Sequence, residues 1–102
     1  MKKVWRVEMT KDAEKNLRLD FKIGKITIDD IKVIKRWIAD VEYHGLDFAQ
    51  LIPDWRDHQL RGIWKGYRAI SFSYSGRVVY RVENETIIVR VVRITANHDY
   101  KK

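Results

Sequence analysis

The chain has 102 residues, 45% of them hydrophobic, 34% charged and none of them cysteine, with a formal net charge of +7. That length suits a single domain spanning residues 1–102, since domains typically run to roughly 100–150 residues. The lack of cysteine excludes a disulfide framework and a thiolate zinc site, and the charge points to an anionic partner: phosphate, an acidic protein or an anionic surface. No apolar run approaches the roughly 20 residues of a membrane span. The opening Met1-Lys2-Lys3 is not followed by the apolar stretch of a secretory signal, so the expected compartment is the cytoplasm.

The segment "VWRVEM", residues 4–9, alternates and predicts a strand, with Trp5, Val7 and Met9 on one face and Val4, Arg6 and Glu8 on the other. Thr10 is a suitable N-cap for a short amphipathic helix carrying Ala13, Leu17 and Phe21, which Gly24 ends. A second helix starts at Thr27, where Asp30 makes a variant capping box. It carries the apolar stripe Ile31, Ile34, Ile38 and Val41 and stops at Gly45. Residues 47–62 read as irregular. From Tyr67 the period turns to two. "YRAISFSY", "RVVYRVE" and "TIIVRVVRI" predict three strands joined by the turns "SG" and "NE".

The order is therefore β-α-α-β-β-β, an α+β domain with two helices covering one face of a four-stranded antiparallel sheet. In the "RVVYRVE" strand, Val78, Tyr80 and Val82 fall to the covered face, and Arg77, Val79, Arg81 and Glu83 to the open one. Tyr80 is read as core. Parity places Arg90 and Arg93 of the last strand on opposite faces, so at most one of them joins the open-face group. Before the sheet, His58, Arg61, Lys65 and Arg68 are interleaved with Trp64 and Tyr67. Cations among aromatic rings suit RNA, whose phosphates bind the charges while its bases stack.

Of the three histidines, His44 ends the second helix, where a cation complements the helix dipole. His58 and His98 adjoin the open face. Two imidazoles with arginines could cleave RNA without a metal: one takes the proton of a ribose 2′-OH, the other protonates the leaving 5′-oxygen, and arginine offsets the added charge. From composition alone, an exposed loop histidine, a tail histidine and a solvated basic face remain open as alternatives. No Asp or Glu spacing suggests a metal site, and no cofactor is expected.

Residues 57–100, "DHQLRGIWKGYRAISFSYSGRVVYRVENETIIVRVVRITANHDY", resemble the C-terminal half of the RelE/ParE superfamily of toxins from bacterial type II toxin–antitoxin modules. The pieces that carry the likeness are "HQLRG", "WKGYR" and "RVVYRVENE", followed by a last strand ending in histidine. The similarity is strongest to the YafQ and YoeB type of ribosome-dependent messenger RNA endonuclease. Residues 1–56 match only as strand, helix, helix. The resemblance implies a microbial RNase-type fold. It also implies messenger RNA cleavage on the ribosome without a metal, and inhibition by a cognate, acidic antitoxin. A free monomer would become a hetero-oligomer with that antitoxin, away from any membrane. By motif, His58, Arg77, His98 and Tyr100 fall on catalytic positions, and Arg61 and Lys65 on basic positions that hold RNA. The residue pattern adds Arg68, Arg81 and Arg93 as RNA-binding cations, and Lys101 and Lys102 as phosphate-attracting ends. Ser71 and Ser75 stand where some relatives have a further His and an Asp, so the chemistry rests on His58, His98 and Arg77. The same fold would also accommodate a ParE-like gyrase inhibitor or a plain RNA-binding module.

Overall fold

The computed structural model describes residues 5–83 and 88–96. Strand β1 (Arg6–Met9) leads into helices α1 (Lys11–Lys22), α2 (Ile28–His44) and the short α3 (Leu46–Leu51). A two-residue strand β2 (His58–Gln59) precedes β3 (Arg68–Ser71), β4 (Arg77–Glu83) and β5 (Ile88–Thr95). Single 3₁₀ turns at Pro53–Trp55 and Gly62–Trp64 flank β2. The α+β reading and the antiparallel β3-β4-β5 meander stand. The sheet has five strands in the order β1-β5-β4-β3-β2, and β1 joins parallel to β5 at one edge.

Both predicted caps form. The Thr10 hydroxyl accepts from the Ala13 N–H. Thr27 and Asp30 cap each other's backbone N–H in a full capping box, which fixes where α2 begins. Gly45, at φ +90°, supplies the left-handed residue that ends α2 and starts α3. On α2, Ile34 and Val41 are buried as expected, and Ile31 and Ile38 pack at the margin of the core. Trp37 lies between them at zero exposure, with its ring centroid 5.2 Å from that of Tyr80. Trp5, Val7 and Met9 face the same cluster, as the alternation in β1 requires.

Three details depart from the sequence expectation. The strand read from Tyr67 to Tyr74 stops at Ser71, because the Phe72 N–H bonds the Gly76 carbonyl and the Ser73 hydroxyl accepts from the Gly76 N–H, closing a turn. Residues 47–62 are built of α3, two single turns and β2, each too short to carry a periodic signal. Val82, assigned to the core, is 38% exposed, whereas Val79, on the other face, is fully buried. Val79 is covered because Leu60, Trp64 and Tyr67 fold over it and Ala69 as a second, smaller cluster.

The edge strand β1 also has a chemical guard. Its Val7 N–H donates to Glu42 Oε2 of α2 at 3.1 Å. Among the described residues no helix is long and apolar enough to cross a membrane.

Candidate functional site

His58 and Asp57 belong to an extended stretch, so successive side chains leave it in opposite directions. Asp57 goes under the sheet. Its carboxylate has no solvent exposure; Oδ1 accepts from Arg68 Nε at 2.6 Å and Oδ2 from the Tyr80 hydroxyl at 2.5 Å. Gln50 Nε2 of α3 donates to the same tyrosine oxygen at 3.3 Å. Burial first, then the neighbouring Asp57 charge, raises the Tyr80 pKa well above its ordinary range. Arg68 is also raised. Burial is the largest single influence and acts downward, but Asp57 and, after it, Tyr80 act upward through their hydrogen bonds and charge, and together they outweigh it.

His58 goes the other way and is exposed. Its Nδ1 lies 2.8 Å from the Arg56 carbonyl oxygen. A carbonyl only accepts, so Nδ1 carries the hydrogen and, in the neutral ring, the lone pair is on Nε2. The carbonyl is aimed there because Arg56 is left-handed, at φ 50° and ψ 43°, the one non-glycine among the described residues with positive φ. Such backbone is uncommon outside glycine, asparagine and aspartate.

Arg77 opens β4. Its Nη1 donates to three carbonyls of the β3–β4 turn: Gly76 at 2.9 Å, Tyr74 at 3.2 Å and Ser73 at 3.4 Å. The register pairs His58 with Ala69, Ala69 with Val79, and Ser71 with Arg77. His58 and Arg77 thus share a face, offset by two strands and two residues, or about 12 Å between backbones at ordinary strand spacing. Ser75, in the same turn, donates to the Ala96 carbonyl at 2.9 Å and ties the end of β5 beside Arg77. His98, Tyr100, Lys101 and Lys102 lie outside the described residues.

The basic positions divide. Arg61 and Lys65 are exposed on the segment next to His58. Arg81 lies on the open face, bonded to Glu83 Oε2 at 2.7–2.8 Å and to the Tyr67 hydroxyl at 3.0 Å, with its guanidinium 5.7 Å from the Tyr67 ring centre. Arg68 is on the opposite face, held by Asp57, so it does not join the others. The parity argument about Arg90 and Arg93 needs correction. Arg81 registers with Arg90 and Val79 with Arg93, because β5 carries one extra residue, Val92, at a bulge opposite Val79 and Tyr80. Both positions therefore register with the β4 row that contains Val79 and Arg81; their side chains lie outside the described part. His44 ends α2 as expected, with its ring against Phe48 at 4.9 Å.

Asp57 and Arg56 were not singled out from the sequence. The dipeptide Asp57-His58 was a readable signal for the first, since neighbours in extended chain serve opposite faces. The left-handed turn at Arg56 has no sequence signature. Among the described residues, no three His, Asp or Glu side chains converge as a metal site.

No family model matches the chain, and no curated protein matches it in sequence. Solved structures do. E. coli YafQ superposes with a TM-score of 0.72 at 21% identity, over 94% of this chain and 96% of YafQ. A metal-bound toxin from Helicobacter pylori gives 0.73 at 20% identity, over 97% and 100% of the two chains. YoeB from the Staphylococcus aureus YoeB–YefM complex gives 0.63 at 14% identity, over 89% and 94%. The same YafQ fold is also seen in the E. coli DinJ–YafQ toxin–antitoxin complex, at a TM-score of 0.70. At these identities the shared property is the fold, and the chain has the RelE-like fold of the toxins YafQ and YoeB.

Proposed function

We propose that this protein is the toxin of a toxin–antitoxin module and cleaves messenger RNA on the ribosome without a metal. The observation that carries the reading is His58, exposed on the face that also holds Arg77, with its Nδ1 hydrogen committed to the Arg56 carbonyl so that Nε2 keeps the lone pair in the neutral ring. In this scheme Nε2 takes the proton of a ribose 2′-OH. The 2′-oxygen bonds to the adjacent phosphorus as the bond from phosphorus to the 5′-oxygen breaks. His98 gives a proton to that leaving oxygen, and the product end is a 2′,3′-cyclic phosphate. Arg77 offsets the added negative charge on the phosphoryl oxygens, Tyr100 is assigned to the same catalytic set, and Arg61, Lys65, Arg81, Arg93, Lys101 and Lys102 attract ribosomal RNA or the message. The antitoxin is acidic where it contacts this +7 chain and forms a hetero-oligomer with it in the cytoplasm.

Programmed ribosomes test the scheme. Cleavage of a defined message should fall by roughly 10²–10⁴-fold in His58→Gln, the range for loss of a positioned general base. Wild-type cleavage by His58→Gln and by Arg77→Ala would overturn it.

A further inference from the structure

Immediately beside His58 the surface is hollowed. A depression of about 540 Å³ is lined by the continuous segment from His58 to Trp64, within the size range of small-ligand sites. Its floor is the buried Leu60, its wall the half-buried Trp64, and its rim Ile63, which is 79% exposed. Arg61 stands exposed between them. The backbone makes this shape: Gly62, at φ 67°, reverses the chain after β2 so that the 3₁₀ turn Gly62–Trp64 faces back toward it.

The wall is braced. Trp64 meets Tyr67 edge to face, with centroids 5.3 Å apart and planes at 86°. Tyr67 is in turn gripped by Arg81, which both bonds its hydroxyl and sits against its ring. An indole fixed in this way needs little ordering when a flat ligand arrives, which favours binding. An apolar slot with an aromatic wall, one cation at its rim and an imidazole at its end combines the elements of single-stranded nucleic-acid recognition: a ring for the base and a cation for the backbone.

We infer that this depression is a base-binding subsite, in which the base of a nucleotide flanking the scissile phosphate stacks on Trp64 above Leu60 and Ile63 while Arg61 holds that nucleotide's phosphate. The inference rests on the RNA-cleaving reading and adds to it a determinant of which messages are cut. The walls offer mainly apolar surface, so selection is by stacking area and purines outrank pyrimidines at this position.

The test uses programmed ribosomes carrying messages that are identical except for a purine, a pyrimidine or an abasic residue at each position flanking the cut. At one position the wild-type protein should lose roughly 5- to 150-fold in cleavage efficiency on the abasic message, the measured range for one stacked base. In Trp64→Ala this penalty should shrink to less than about two-fold, and in Ile63→Ser to an intermediate value. Ile63 is so exposed that its replacement does not threaten the fold. An abasic penalty equal in wild type and both variants overturns the subsite while leaving the nuclease reading intact. If the wild-type protein cuts no message, binding of short RNAs with a 2′-deoxy residue at the would-be cut, followed by fluorescence anisotropy, decides. Affinity that depends on the base and on Trp64 keeps the subsite and removes the nuclease. Affinity indifferent to both overturns the subsite.

Discussion

Asp57 and His58 are adjacent in the chain and serve opposite sides of the sheet. The carboxylate is an anchor below it, and the imidazole is presented above. Tyr80 joins the two levels, because it is a core residue whose hydroxyl donates to that anchor. Its raised pKa has a definite sign. The unfolded tyrosine loses its proton near 10.0 and the folded one only at higher pH. The contribution is therefore complete below about pH 10 and is lost as pH rises toward the folded value. Unfolding by urea between pH 8 and 11 should show wild-type stability falling more steeply above pH 10 than that of Tyr80→Phe. Below pH 9, Tyr80→Phe should be less stable by about 1.5–3 kcal/mol, the scale of a hydrogen bond to a charged group. Equal slopes would mean that the Tyr80 proton is not held by Asp57. Tyr80 was legible as core from alternation. Its role in fixing the His58 segment was not, since nothing in the sequence joins residue 57 to residues 68 and 80.

At the scale of elements, the caps and turns set the frame. Thr27→Ala removes the hydroxyl half of the α2 capping box and should cost about 1 kcal/mol, measurable by chemical denaturation. Gly76 is more demanding. A Cβ there would lie 2.4 Å from Phe72 Cζ and 2.6 Å from Ser73 Oγ. Gly76→Ala should therefore lower the melting temperature and, by displacing the carbonyls that hold Arg77, reduce cleavage beyond what the stability loss explains. Unchanged melting and activity would contradict the packing of this turn. Caps, helix stripes and alternating strands were readable because each is a local pattern. The Val92 bulge was not: an extra residue is defined only against a partner strand, and "VRVVRI" alternates imperfectly in any register. The same holds for the Pro53–Trp55 turn and for β2, whose few residues are ordered by Trp55 donating to Asp40 and by pairing with β3.

At the scale of the molecule, the tally of basic side chains overstates how many are free to meet an anion. Arg68 is matched by Asp57, and Arg81 by Glu83, within the fold. The salt dependence of RNA binding should reflect this. Arg61→Ala and Lys65→Ala should each reduce the log–log slope by about 0.7 per lost phosphate contact on single strands. Arg68→Met should leave the slope unchanged and lower the melting temperature instead. The sequence also carries the expectation that a chain ending at Asn97 folds but does not arrest growth. Growth arrest by that truncation would remove His98 and Tyr100 from the reaction.

The hydrogen bond from Val7 to Glu42 has a consequence for how this sheet behaves in a crowded cell. A sheet grows by offering unpaired edges to other strands, and exposed edges lead to fibres and swapped dimers. Here the β1 margin meets a carboxylate at Val7, and the β2 margin is two residues long. Both margins are poor templates for another copy. Glu42→Val would unmask one of them, and concentration-dependent self-association on gel filtration is the expected sign of a sheet that has lost its stopper.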